Sequence, residues 1–511
     1  MPNLFSEIKT KAKIPTYKYF VEGEWQESRN RKLIDIKSPI DCSLLGRIQT
    51  VSKKETDIAV TGASMVFEQW ANYSLAKKII ILKKFTKLIS QNKKTLSKLL
   101  TIEVGKTISD ADREIESCSE IIDKIIKQSK GEKEIQKSLR EICQISYQPR
   151  GVVLCITPFN YPINTVLFQI VPALISGNTV ILKPATSGAI STLHLIQLLK
   201  KAGLPEGVLN VVTGHGEDIG RFLAEHDLIR AIYFTGSTKT GKDIAKRAGI
   251  VRLVMELGGK DAAIVLKDAN IDKTAKEIAE SAFAYSGQRC MAIKRVVVDE
   301  KIKTQLLEKI HNICEENFSR IGDPRDAKTQ MGPVISDKQA DYLESLIKDA
   351  KKKGAKIVCG GRRFNVTRRK LRLHRRLFEL SRRLIRLRRG NGRYFSPTIL
   401  DNIKPSMKIA WEEQFGPILP VISVKSENEA VNLTNASEYG LDAAIFTKDI
   451  KKARQLAEKL DVGQVFINMK PHRAPYEFPF NGTKNSGIGT QGIPYTQKAM
   501  SRPKSVRIKL R

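Results

Sequence analysis

The sequence predicts a doubly wound α/β fold, and three observations point to it. Between residues 151 and 241, short β-branched apolar runs alternate with helix-like stretches in the order strand, helix, strand, helix, strand, helix, strand, the pattern of βαβ units in a parallel sheet. The segments TPFNYP (157–162), KPAT (183–186) and FTGST (234–238) fall at the carboxyl ends of such strands, where open parallel sheets bind ligands. A length of 511 residues, 41% of them hydrophobic, supports two or three domains with a core in each.

The strands are read in order from GVVLCITP (151–158), NTVILKP (178–184), GVLNVVTG (207–214), AIYFTG (231–236), DAAIVL (261–266), RVVVD (295–299) and AAIFT (443–447). The longest apolar stretch, 165–182, is interrupted by Gln169, Pro172, Ser176, Gly177 and Asn178, so it is not an unbroken membrane span. The N-terminal MPNLFSEIKTKAKIP lacks the apolar core of a signal peptide, which makes the cytoplasm the expected location. Seven scattered cysteines with no CxxC pair argue against a disulfide framework or a thiolate zinc site. Six histidines without ligand spacing add no reason to expect a metal.

Two glycine patterns are candidates for phosphate binding. Gly214-His-Gly216 with Gly220 imitates GxGxxG, but its last gap is one residue too long, and it reads as a turn at a helix start. Phe234 to Gly241 runs from a strand through a Gly-rich turn into a helix. It is either a plain turn or a cradle in which backbone N–H groups at the helix start, with the Ser237 hydroxyl, hold a pyrophosphate.

The formal charge is +34, and it is unevenly spread. Residues 362–393 hold fourteen Arg and Lys against one acid, Glu379, and Leu373, Leu377, Leu380, Leu384 and Leu387 recur at helical spacing among the arginines. That is the pattern of a basic amphipathic helix. It either meets an anionic partner such as nucleic acid, a membrane surface or an acidic protein, or packs its leucines on the body of the protein; nucleic acid is not the expected partner.

Five motifs then combine. Pro158-Phe159-Asn160-Tyr161-Pro162, the Phe234–Gly241 turn, Met255-Glu256-Leu257-Gly258-Gly259-Lys260, Ser286-Gly287-Gln288-Arg289-Cys290 and Glu412-Glu413-Gln414-Phe415-Gly416-Pro417 together resemble the aldehyde dehydrogenase superfamily from about residue 17 to the C-terminus. Glu256 and Cys290 are 34 positions apart. Only the basic segment resembles nothing in that family.

The resemblance implies an aldehyde dehydrogenase fold. Residues 1–131 and 151–258 would form a Rossmann-like cofactor domain, 259–470 an α/β catalytic domain carrying the basic insertion 362–393, and 132–150 with 471–511 a β-ribbon oligomerisation arm. The ribbon would involve EICQISYQPR (141–150) and the terminal strand VRIKLR (506–511), whose exposed edges would invite pairing with another subunit in a homodimer or homotetramer. Cys290 would be the nucleophile, Asn160 and the Cys290 N–H the oxyanion hole, and Glu256 the base that activates water. A Glu at that position argues against the coenzyme-A-acylating branch and against phosphorolysis.

The family's cofactor contacts map onto Thr157, Phe159, Lys183, Thr186, Gly236, Ser237, Gly241, Leu257, Glu413 and Phe415. Members restricted to NAD commonly carry Glu where this chain has Thr186. A neutral Thr186 beside Lys183 implies NADP, with NAD as a lesser alternative and no metal. Tyr161, Arg289 and Arg473 resemble the phosphate-binding set of the non-phosphorylating glyceraldehyde-3-phosphate dehydrogenases, archaeal ones included, and imply a small anionic aldehyde as substrate. Other subfamily members carry a further Arg at the position of Ser117, with Arg113 one turn away here. Succinate semialdehyde and lactaldehyde are the alternative substrates, and binding of an anionic surface or nucleic acid through the insertion is the alternative of another class.

Overall fold

The first of two large sheets is built on the strands read from the 151–241 region. The computed structural model describes residues 4–129, 134–138, 140–365, 388–389 and 392–510. Neighbours in the first sheet run Gly487–Ile488, Arg252–Glu256, Ile229–Thr235, Val152–Ile156, Thr179–Lys183, Leu209–Val211, Tyr19–Val21 and Glu24–Gln26. The five from Arg252–Glu256 to Leu209–Val211 are parallel. Chain order reverses around Val152–Ile156, which lies between Ile229–Thr235 and Thr179–Lys183, so the crevice of this doubly wound sheet opens at the end of that strand. Its sequence, VVLCI, is almost wholly buried, as befits a strand covered on both faces.

Register aligns the strand ends. Ile156 pairs with Lys183, Phe234 with Ile156, and Thr235 with Glu256, which brings the segments after all four strands to one edge. Helix Asn164–Ile175 connects the first two strands, Ala189–Ala202 the next two, and Thr238–Arg247 follows Ile229–Thr235. The start of Ala189–Ala202 has no capping side chain of its own. The buried Glu103 carboxylate supplies the acceptors, taking N–H bonds from Gly188 (3.1 Å), Ile190 (2.7 Å) and Ser191 (2.7 Å). The Gly216–Gly220 segment is a short helical turn, in agreement with the weaker reading of that glycine pattern.

The second sheet orders Lys356–Cys359, Thr398–Asp401, Ile418–Val424, Arg295–Asp299, Ala262–Val265, Asp442–Phe446 and Gln464–Ile467. All are parallel except Lys356–Cys359. The chain passes between the sheets at Leu257–Asp261, directly after Glu256. Separate apolar clusters pack against the faces of each sheet.

A third, three-stranded sheet stands apart. Glu141–Pro149 pairs antiparallel with Ser501–Lys509 and with Glu134–Lys137, so the segments 141–150 and 506–511 meet within the chain and both edges of the central strand are taken. The amphipathic helix read in 362–393 lies outside the described residues; around it, Arg363–Asn365 pairs with Arg388–Arg389 and Tyr394–Phe395. Among the described residues no helix is long and apolar enough to cross a membrane.

Candidate active site

Cys290 follows a constrained turn. In Ala284–Gly287, Tyr285 (φ 51°) and Ser286 (φ 53°) adopt left-handed backbone conformations that non-glycine residues avoid, at roughly 1–3 kcal/mol each. The surroundings hold them there. Tyr285 Oη donates to Val104 O (3.2 Å) and Ser286 Oγ to Gly332 O (2.8 Å). Gly287 has no side chain to give, because a Cβ there would lie 2.4 Å from Gly416 O.

Glu256, at the end of its strand, is 4% exposed, and its carboxyl lies close enough to the Cys290 thiol for each to shift the other's proton affinity. Its Oε1 is buried with no partner among the described residues. Burial pushes the Glu256 pKa up to about 7, with the Cys290 thiol opposing the rise and the nearby Glu413 adding to it. Desolvation first, then Glu256, raise the Cys290 thiol well above its ordinary range. The resting pair therefore keeps the proton on sulfur, facing a carboxylate poised near neutrality. Asn160 Nδ2 donates to Gln288 O (3.1 Å), and Gln288 Oε1 in turn accepts from Ile335 N (2.8 Å), so the amide is pinned two residues before the thiol.

Several side chains of this site were not singled out from sequence. Lys294, one turn beyond Cys290, is 1% exposed; its ammonium donates to the Cys290 carbonyl and lies 3.5 Å from Asp261 Oδ2 and 3.4 Å from Glu413 Oε1. Burial disfavours that charge, yet Asp261 and Glu413 outweigh it and hold the pKa above the usual lysine value. Glu413 Oε1 also accepts from Gly259 N at 3.1 Å. Its other oxygen would be 2.4 Å from a Cβ at residue 258, so Gly258 is what lets the carboxylate in. Buried Lys260 secures the same loop by donating to Glu412 O (2.7 Å) and Gln414 Oε1 (2.5 Å).

The cofactor candidates converge at the aligned strand ends. Thr157 is buried and its Oγ1 has no partner among the described residues, an orphaned polar atom that suits a ligand. Lys183 is 6% exposed and bonds only to its neighbour's carbonyl, Pro184 O (3.3 Å); burial lowers its pKa to about 8, with Asp218 partly offsetting. Thr186 is half-buried close by in sequence and brings no negative charge. Ser237 caps Thr238–Arg247, accepting from Thr240 N (3.3 Å), and both are exposed, which leaves that helix start open. A Cβ at Gly241 would meet Leu257 Cδ2 at 2.4 Å and one at Gly236 would meet Phe234 Cζ at 2.7 Å, so both glycines allow close packing under the turn. Phe159 and Phe415 meet edge to face with centroids 5.9 Å apart. These donors and this cradle fit a phosphorylated dinucleotide.

On the substrate side, Lys106 Nζ lies 3.5 Å from the centroid of the Tyr161 ring and pairs with buried Glu114. Glu114 Oε1 accepts from Ile163 N and Asn164 N, both at 3.1 Å, which fixes the loop bearing Asn160 and Tyr161. Arg473 is half-buried, its guanidinium 5.2 Å from the Phe168 ring and 4.8 Å from that of Phe480, and burial lowers its pKa. Neither Arg473 nor half-buried Arg289 has an ion-pair partner among the described residues. Ser117 Oγ is engaged by Glu114 O (2.9 Å) and Asn164 Nδ2 (2.8 Å), while Arg113 points into an ion pair with Asp110 (2.5 Å). Arg113 thus adds no cation to this pocket.

Comparison with known proteins adds to this geometry. A sequence model described as the aldehyde dehydrogenase family matches residues 25–373 and 380–506. An NADP-dependent glyceraldehyde-3-phosphate dehydrogenase of Streptococcus equinus is 39% identical over 497 residues, 96% of this chain and 98% of that protein. A lactaldehyde dehydrogenase of Methanococcus maripaludis is 33% identical over 496 residues, 96% of this chain and 99% of its own length. The crystal structure of the NADP-dependent glyceraldehyde-3-phosphate dehydrogenase of Bacillus halodurans C-125 complexed with NADP superposes with a TM-score of 0.89 at 39% identity, covering 97% of this chain and 99% of that one.

Proposed function

From the premise that the chain belongs to the aldehyde dehydrogenase family, we propose that it oxidises D-glyceraldehyde 3-phosphate to 3-phosphoglycerate, with NADP as the electron acceptor and water as the acyl acceptor. The observation that carries this reading is the buried Glu256 carboxyl facing the Cys290 thiol beside the pinned amide of Asn160.

In this reading the Cys290 sulfur adds to the aldehyde carbon as its proton crosses to the Glu256 carboxylate. The new oxyanion is met by the Cys290 backbone N–H and by the second Nδ2–H of Asn160, the first being held by Gln288 O. NADP, when bound, supplies the hydride acceptor that leaves a thioester on Cys290. Glu256 passes the thiol's proton to solvent and, ionised again, takes a proton from water as the water oxygen attacks the thioester carbon; the C–S bond then breaks, the departing sulfur takes that proton back from Glu256, and the acid leaves. Lys294 holds the Cys290 carbonyl and Glu413 in place throughout. Lys183 and Thr186 fit the ribose phosphate that distinguishes NADP, since position 186 carries a neutral hydroxyl instead of a carboxylate that would repel it.

Residues 1–131 with 151–258 carry the cofactor in this account, 259–470 the nucleophile, and 132–150 with 471–511 the bridging ribbon. The ribbon's exposed Ile135, Tyr147, Val506 and Ile508 favour a homo-oligomer, and seven unpaired cysteines fit a reducing cytoplasm.

The substrate assignment rests on Arg289, Arg473 and Tyr161, and Arg473→Ala tests it. With glyceraldehyde 3-phosphate, kcat/KM is expected to fall about 100-fold, the loss of roughly 3 kcal/mol of charge-assisted bonding. Unphosphorylated glyceraldehyde and lactaldehyde should change by less than about threefold. Equal losses on charged and uncharged aldehydes, or wild-type turnover as fast with lactaldehyde or succinate semialdehyde, would sink the assignment.

A further inference from the structure

At the end of the first sheet opposite the catalytic edge, a concavity of about 400 Å³ is lined by Arg150, Arg230, Ile250, Val251, Arg252 and Arg502. Its lining holds four guanidiniums and no acid. The topology explains why they meet. Arg252 opens the strand that ends in Glu256 and pairs with Ala231, the neighbour of Arg230; Arg150 precedes Val152–Ile156; and Arg502 pairs with Gln148 across the ribbon.

Two of the four are held by the backbone. Arg150 Nε donates to Ala499 O at 2.7 Å. The stem of Arg230 lies over Gly151, where φ is 131° and a Cβ would stand 3.0 Å from Arg230 Cγ. None of the four has an ion-pair partner among the described residues, whereas arginines elsewhere on the surface, such as Arg221, Arg247 and Arg507, do. Burial, then the charges of Arg252 and Arg502, depress the Arg150 guanidinium, the signature of unrelieved repulsion.

Like charges gathered without counter-charge destabilise the fold unless an anion joins them, and the planar guanidinium fork matches the oxygens of phosphate. We propose that this concavity is a second oxyanion site, separate from the substrate pocket, that takes an inorganic phosphate or the phosphate group of a phosphomonoester. The strand from Arg252 to Glu256 rises about 13 Å at the usual 3.3 Å per residue, so the ligand sits one sheet-width from the chemistry and does not compete with substrate. The site is independent of which aldehyde is oxidised.

Calorimetric titration of the full chain, saturated with NADP so that the cofactor's own phosphate positions are filled, with inorganic phosphate, pyrophosphate and glycerol 1-phosphate, at constant ionic strength against chloride, tests it. Wild type should show two oxyanion sites per chain. Arg473→Ala should remove one, and the Arg252→Ala/Arg502→Ala double variant should weaken the other at least tenfold. Arg252→Lys/Arg502→Lys, which keeps the charge and folds with it, should weaken that site several-fold by losing the fork geometry. Preference for pyrophosphate or free phosphate over glycerol 1-phosphate, or the reverse, identifies the ligand's form and supports the site either way. A single site abolished by Arg473→Ala, an isotherm unaltered in both double variants, or a double variant whose only change is a smaller assembly mass by light scattering would each overturn the proposal.

Discussion

Glu256 and Cys290 define each other's proton affinity, and this has a direct kinetic consequence. The carboxyl, pushed up to about 7 by burial, is protonated below that value and ionised above it. A base works only when ionised, so kcat/KM rises with pH and levels off above an apparent pKa near 7. Glu256→Gln is expected to flatten that limb and lower kcat by about 10²- to 10⁴-fold; a variant that keeps both the limb and the rate excludes Glu256 as the base. Lys294 makes a second residue-scale case. Lys294→Met leaves buried Asp261 and half-buried Glu413 without their cation, so a destabilisation of about 3–5 kcal/mol is expected in urea unfolding. Loss of the hold on Glu413 should also raise KM for NADP more than it lowers kcat. Cys290, Glu256 and Asn160 were legible in the sequence because their chemistry is written in residue type and motif order. Lys294 was not, since in MAIKRV it is one cation among 88 Lys and Arg, and only the fold shows it buried against two carboxylates.

At the scale of elements, the start of Thr238–Arg247 depends on how closely that helix approaches the strand end at Leu257. Gly241→Ala places a methyl 2.4 Å from Leu257 Cδ2. Overpacking of this kind costs about 1–3 kcal/mol, and displacement of Leu257 is expected to raise KM for NADP with a smaller change in kcat. Thermal unfolding and NADP titration of this variant check both; an unchanged melting temperature would mean that the helix and Leu257 adjust freely. The apolar runs foretold strands well from 151 to 241, where VVLCI and TVILK are buried on both faces. Arg252–Glu256, although it delivers the catalytic Glu256, was not read as a strand, because RLVME begins and ends in charge and offers only a short apolar run. The cap on Ala189–Ala202 was hidden for another reason. Glu103 lies more than eighty residues from the N–H groups it satisfies, and no local pattern announces such a partner.

At the scale of the molecule, the ribbon and the charge are what remain. Glu141–Pro149 is covered on both sides by strands, but the faces of the ribbon leave Ile135, Val506 and Ile508 at 56%, 49% and 44% exposure, and this is the apolar face proposed above to meet another copy of the chain. Val506→Asp/Ile508→Asp is expected to convert the oligomer to a smaller species by light scattering while leaving the far-ultraviolet circular dichroism unaltered; an unaltered mass would remove the ribbon from the interface. Of the formal charge of +34, +13 lies in the segment 362–393 and the other +21 is spread over the remaining 479 residues, among them the buried lysines of the proposed active site and the four arginines at the opposite sheet end. What decides the chemistry is the fate of the thioester on Cys290, and NADPH formation from glyceraldehyde 3-phosphate in phosphate-free buffer reads it out. An undiminished rate without inorganic phosphate, with 3-phosphoglycerate as the product, is expected; a rate that appears only when phosphate is added, with an acyl phosphate formed, would rule out water as the acyl acceptor.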